Sequence, residues 1–164
     1  MELKHREGLK IYGKWRLTAY CKGTNIVAKV LEGENLIVTV GKGLVGDMLI
    51  NAAGYDTGFT YCALGSDNTA PAVGQTTLVN EGGDGVSAMR LTITYPSRLL
   101  NVITLSTFFK AAQSTITLEE AAIFGHSTAT AARNSGIMFS RWLVSFDNSG
   151  ALYDITVTYI LTIG

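Results

Sequence analysis

Side chains that carry most catalytic and metal chemistry are scarce here: two histidines and two cysteines in 164 residues. Glu119 and Glu120 form the one adjacent carboxylate pair. Neighbours in a strand point to opposite faces, so these two cannot share a proton or flank one bond. One is expected to face solvent and the other a turn; acid–base work on a glycosidic bond would need a second carboxylate brought close by the fold. Gly41, Lys42, Gly43 and Gly46 look like a phosphate-cradling loop, but the order Gly-Lys-Ser/Thr after four intervening residues is missing, and a structural helix start is the expectation. His5 and His126 have no second ligand at metal-like spacing, and Cys21 and Cys62 form no Cys-x-x-Cys pair. Asp67, Asn68, Glu81 and Asp84 offer oxygen ligands among glycines without the spacing of a calcium loop, so solvated turns are expected. A Gly-x-Ser-x-Gly nucleophile elbow is also absent. The residues therefore point away from an enzyme, with no catalytic, cofactor-binding or metal-ligating residue and no cofactor.

Aromatic residues are spread over most of the apolar runs, among them Trp15, Tyr20, Phe59, Phe108, Phe124, Phe139, Trp142 and Tyr159. Core packing accounts for the inward members, and the others suit a subunit interface. They do not interleave with a basic stripe, which argues against binding single-stranded nucleic acid. Thirteen basic residues balance thirteen acidic ones, a poor match to a protein that coats nucleic acid or anionic membrane. Neither nucleic acid nor membrane is an expected partner. No window approaches a membrane-spanning apolar run, and the mixed charges at the start do not form a secretory signal. Sequence separation does not forbid a Cys21–Cys62 pair, but two cysteines in apolar runs read as small buried hydrophobes, which suits a cytosolic product made in reducing conditions.

The elements that would position these residues are mostly strands. Hydrophobic residues make up 47% of the chain, and 18 glycines against two prolines favour tight turns between strands. Residues 12–20 alternate, with Trp15, Leu17 and Ala19 on one face and Lys14, Arg16 and Thr18 on the other. Turn signals at 22–25 and 32–34 frame two further strand-like runs, 26–31 and 35–40. The period then changes: Leu44 with Met48, and Val45 with Leu49, predict one helix over 44–53, stopped by Gly54. A short apolar run at 61–64 precedes a long polar stretch from Gly65 to about Asp84. A loop of that length in a small domain is functional, mobile or pinned by a partner. Strand candidates follow at 89–95, 101–109, 114–118, 121–124, 136–146 and 152–163. The last is the cleanest: Ile155, Val157, Tyr159, Leu161 and Ile163 face one way. The expectation is a mainly all-β fold, an antiparallel β-sandwich or barrel of about nine strands with one short helix near 44–53.

Two units are expected: an N-terminal arm, residues 1–10, and one β-rich domain, residues 11–164. Up to Lys42 there are eight basic residues against four acidic ones, leaving five against nine behind. Solvated faces account for this asymmetry, or a basic segment that docks on an acidic neighbour such as another copy of the chain. On the second reading Lys4, Arg6 and Lys10 make charge-assisted partner contacts, with Leu3 and Leu9 as small apolar anchors.

Several segments in order resemble a recurrent kind of tailed-bacteriophage virion protein. Asn35–Leu44 followed by Met48–Ile50 is similar to that group's strand-to-helix passage. Tyr61–Gly65, Asn68–Ala72, Gly74–Leu78 and Glu81 are similar to its "ALG…TAPA…G-x-T-x-L…E" stretch. Glu120–Phe124 stands where the group has an acidic residue and then Gly-Leu-Phe, with alanine here in place of that glycine. Ser140, Arg141 and the closing run Ile155–Ile163 fit its C-terminal strands, so the resemblance runs from about residue 35 to the end. It implies a non-enzymatic virion structural protein. Within that class it resembles small β-rich capsid decoration (cement) proteins that sit as homotrimers on the major capsid protein shell and stabilise it. Alternatives are a tail, neck or fibre-associated component and, in a different class, a carbohydrate-binding or hydrolase domain on a fibre. Exposed aromatics around a carboxylate-lined groove would mark the last of these.

Overall fold

Period-two alternation becomes strand pairing almost without loss. The computed structural model describes residues 10–50, 52, 57–82 and 89–164. In it, β1 (Ile11–Cys21) and β10 (Tyr153–Ile163) pair antiparallel along their whole length, Ile11 opposite Ile163 and Cys21 opposite Tyr153. Around them assemble β2 (Val27–Glu34), β7 (Val102–Phe109) and the short edge strand β6 (Ser97–Leu99), in the order β2-β1-β10-β7-β6. A second five-stranded sheet has the order β3-β9-β8-β4-β5. Its members are β3 (Leu36–Ile37), β4 (Phe59–Gly65), β5 (Arg90–Thr92), β8 (Thr117–Gly125) and β9 (Ile137–Asp147). Every pairing is antiparallel, and two separate sheets make this a sandwich, not a closed barrel.

The inward faces meet in one core. Trp15, Leu17, Leu105, Phe109, Ile155, Val157 and Tyr159 come from the first sheet, and Cys62, Leu64, Ala121, Ile123, Phe139 and Trp142 from the second. Trp15 stacks on Trp142 at 5.8 Å between ring centroids, and its indole N–H donates to the Ser140 hydroxyl at 3.3 Å. The Asn35 amide donates to Ser140 and to the Tyr159 hydroxyl at 2.7 and 3.0 Å, so the polar tips of Trp15, Ser140 and Tyr159 are paired inside the sandwich.

Several expectations shift. The run 35–40 yields only Leu36–Ile37 as strand, because α1 (Thr39–Leu49) begins five residues earlier than the hydrophobic period predicts. Gly41 is the reason. A Cβ there would lie 2.6 Å from the Phe139 Cα, so only glycine lets the first turn settle on β9. Leu44 and Met48 do face the core, but Leu49 is exposed and α1 ends there; the expected stop at Gly54 lies outside the described residues. The separate runs 114–118 and 121–124 join in one strand, β8, which begins only at Thr117 and whose irregularity at Glu119 mimics a break in period. Strand β6 and a short 3₁₀ turn, Ala111–Gln113, were not expected; the three residues of β6 are all exposed and leave no hydrophobic alternation to read. Among the described residues ten strands form in place of about nine.

Candidate functional site

One face of the second sheet points away from the core, yet it is not exposed to solvent. Ala63, Ala122, Phe124 and Met138 form a second buried apolar cluster there with Val38 and Leu78. The cover is the long polar stretch after β4. Its backbone returns to the sheet, where Gly82 N–H donates to Leu64 C=O at 2.7 Å and Ser66 N–H to Asn80 C=O at 3.0 Å. Thr39 N–H, at the start of α1, donates to Val73 C=O at 2.7 Å. The loop is therefore pinned, and its own chain does the pinning.

Two buried ion pairs hold it. Glu120 and Arg141 project from β8 and β9 onto this outer face with both side chains fully buried. Arg141 Nε donates to Glu120 Oε2 at 2.7 Å, and Arg141 Nη1 donates to the Thr69 carbonyl at 2.8 Å and to Gln75 Oε1 at 3.2 Å. Glu120 in turn accepts the N–H groups of Val79 and Asn80 at 3.1 and 2.7 Å. The pair spends its remaining donors and acceptors on the loop, through its backbone and the Gln75 side chain. Gly65 ends β4 at this point because a Cβ would stand 2.5 Å from Glu120 Oε1 and 2.6 Å from the Asn80 carbonyl oxygen.

The second pair lies one strand away. Arg90 on β5 donates through Nε and Nη2 to the two oxygens of Glu81, both at 2.8 Å, the planar fork that suits a carboxylate. Its guanidinium also sits 3.9 Å over the Phe124 ring. Arg90 Nη1 donates to the Ser135 carbonyl at 2.7 Å, and Glu81 accepts Asn134 N–H at 3.1 Å. These contacts tie the loop between β8 and β9 to the same face. Ser135 then holds that loop internally, donating to the Ala132 carbonyl at 2.7 Å and accepting Thr130 N–H at 3.0 Å.

Charge is thus used here to fix two long loops. Glu120 does not face solvent or an open turn, and Glu81 is no solvated turn residue. Each is a counter-ion, a role hidden because its arginine lies on a different strand, 21 residues on for Glu120 and nine for Glu81. The available signal was Arg90, Glu120 and Arg141 standing inside otherwise apolar strand runs. Glu119, on the other side of the irregularity in β8, accepts the Ser145 hydroxyl at the surface. Asp67 caps its own turn by accepting Thr69 N–H at 2.7 Å, and the Thr69 hydroxyl followed by this N–H lowers its pKa, while Asp84 lies outside the described residues. Among the described residues no group of three or more His, Cys, Asp or Glu is placed to hold a metal ion.

Cys62 is fully buried, and burial pushes its thiol up to about 12, whereas Cys21 is only half-buried; both are free thiols. Of the arm residues, Leu3, Lys4, Arg6 and Leu9 lie outside the described residues. Lys10 is exposed, and its backbone exchanges two hydrogen bonds with Gly164, which places the arm's root at the end of β10. No helix among the described residues is long and apolar enough to cross a membrane. Comparison with protein-family models, curated proteins and solved structures gives no match for this chain.

Proposed function

We propose that this chain is a non-enzymatic virion structural protein, a capsid decoration protein that binds the outer shell as a homotrimer and stabilises it. One observation carries the reading beyond the resemblance. The two longest described loops are already ordered by buried ion pairs, so a partner that docks on them meets a rigid surface. Ordering a loop on binding costs free energy for every residue immobilised, and a pre-set loop avoids that cost. The exposed tips, with Val73 and Val79 at the surface, then act as a fixed template for a shell of repeated subunits.

A ring of three needs two different complementary patches on each copy. The first sheet supplies a candidate pair at its opposite edges. Beside β6 lie Tyr95, Leu99 and Leu100, each more than 70% exposed, and beside β2 lie Ile26, Val27 and Val30. Edge strands with exposed apolar side chains are natural joints between copies. Immunogold labelling of phage particles with an antibody raised to the purified chain tests the assignment. Regular label over the head is the expected result. Label confined to tail, neck or fibres would transfer the protein to that part of the particle, and unlabelled particles would overturn a virion role.

A further inference from the structure

The outer face of the first sheet carries a groove that the loop clamp does not explain. It measures about 610 Å³ and opens to solvent at the end of the sheet where β1 turns into β2. Register places its residues together: Tyr20 stands opposite Asp154 on β10, and Phe108 on β7 stands opposite Thr156. All four point outward, since Ala19, Ile155 and Phe109 beside them point into the core. Phe108 is 44% exposed, unusual for a phenylalanine in a paired strand.

The polar half is organised. Asp154 accepts Gly23 N–H at 2.8 Å through one oxygen and Ala111 N–H at 2.7 Å through the other. These two bonds hold the carboxyl below the usual carboxylate range, so it is charged and fixed in place. They also fix the turn that forms one wall. Gly23 takes a φ of +71°, Thr24 bonds back to the Cys21 carbonyl, and Cys21 N–H reaches Ile26 C=O at 2.9 Å. Against this frame the Asn25 carboxamide, the Thr156 hydroxyl and the Tyr20 hydroxyl line the groove without a hydrogen bond to the described residues.

The chemistry selects among ligand classes. A wholly apolar ligand would cover the spare lone pairs of the Asp154 carboxylate and three neutral polar groups without pairing them. An anion would face Asp154. A cation would meet a single carboxylate whose field is already offset by Lys22 and Lys110. A neutral polyol with one C–H face satisfies both halves: its ring lies on Phe108 or Tyr20 while its hydroxyls donate to Asp154 and exchange bonds with Asn25 and Thr156. We propose that this groove binds a neutral pyranose unit of a glycan. Aromatic residues beside a carboxylate in a groove are the mark given above for a carbohydrate-binding domain on a fibre, so the proposal does not rest on the capsid-decoration reading.

Amide-detected NMR titration of the full chain tests it, with methyl glucoside, methyl galactoside, methyl mannoside and N-acetylglucosamine as probes and methyl glucuronide as the anionic control. The expected result is saturable shifts at Gly23, Asn25, Phe108 and Thr156 with at least one neutral probe. Phe108→Ala should weaken that binding about tenfold, the size of a lost aromatic contact, with the remaining spectrum unchanged. If Phe108→Ala perturbs the fold, Asn25→Ala in the exposed turn provides the second variant and should also weaken binding. No saturable shift with any neutral probe, shifts at another surface, equal binding in a folded variant, or preference for methyl glucuronide would each overturn the proposal.

Discussion

A buried Arg–Glu pair gains Coulomb energy at low dielectric but first loses the hydration of two ions, so such a pair is weak as a source of stability and costly to break. Glu120–Arg141 and Glu81–Arg90 escape part of that cost because loop backbone satisfies their spare donors and acceptors. Removing one partner should therefore destabilise by about 3–5 kcal/mol. Urea unfolding of Arg141→Met and Glu120→Gln should show it, with the double variant losing clearly less than the sum of the two single losses. Additive losses would mean that the pair is not coupled. The thiols make a second contrast. Iodoacetamide should modify Cys21 in the native protein and leave Cys62 unmodified until unfolding, because burial holds Cys62 as the unreactive thiol. Mass spectrometry of the labelled native chain reads this directly. Asp154 sets a pH dependence. Its folded pKa is depressed, first by the Gly23 N–H and then by the Ala111 N–H. The stability it contributes is present above its unfolded value of about 3.9 and is lost as pH falls through the lower folded value. Amide exchange at Gly23 and Ala111 should accordingly quicken only in that acid window, relative to neighbouring amides.

Helix α1 shows how an element is placed against its own propensity. It contains Gly41, Gly43 and Gly46, has no side-chain cap at its start, and lies on β9 through Leu44, Val45 and Met48. Burial, not intrinsic helicity, keeps it formed. Two glycines in it should respond oppositely to alanine. At Gly43 a Cβ meets nothing within 4 Å, so Gly43→Ala should stabilise by about 0.5–1 kcal/mol. At Gly41 the same change drives a methyl into the Phe139 backbone and should lower the melting temperature despite the better propensity. Thermal unfolding of the two variants side by side checks the contrast. Strand β8 teaches a related point: its irregularity at Glu119 lets Leu118 face the core while Glu120, two residues on, faces outward with Ala122 and Phe124.

For the whole molecule, the edges of the first sheet decide whether copies join. In the proposed ring, Leu99→Lys on one edge and Val27→Lys on the other should each dissociate the trimer without lowering monomer stability, because both positions are exposed in the single chain. Light scattering after size exclusion measures this; a monomeric unmodified chain in the assembled particle would defeat the ring. The arm is tested by a cut that respects the structure. Lys10 must stay, since its backbone pairs with Gly164. Deleting residues 1–9 should leave the melting temperature nearly unchanged and weaken attachment to particles, most strongly at low salt, where the charges of Lys4 and Arg6 are least screened. Attachment that is equally tight at every salt concentration would show the arm to be dispensable.

Strand identity was written locally in this chain. Alternation in 12–20 and 152–163 marks β1 and β10 and separates their two faces correctly, because a strand's period is a property of adjacent residues. The helix was visible too, through Leu44 and Met48, but its start was not, because that depends on the fit of Gly41 to Phe139, some hundred residues away. The same holds for the clamp and the groove. Glu120 and Arg141 are ordinary charged residues until β8 and β9 bring them within 2.7 Å, and Tyr20, Phe108 and Asp154 share a face only through the registers of three strands. Local sequence determined which residues turn inward along each strand. Tertiary structure alone decided which charges meet and which aromatic residues share a surface, since sheet order and register are settled by burial over the whole chain.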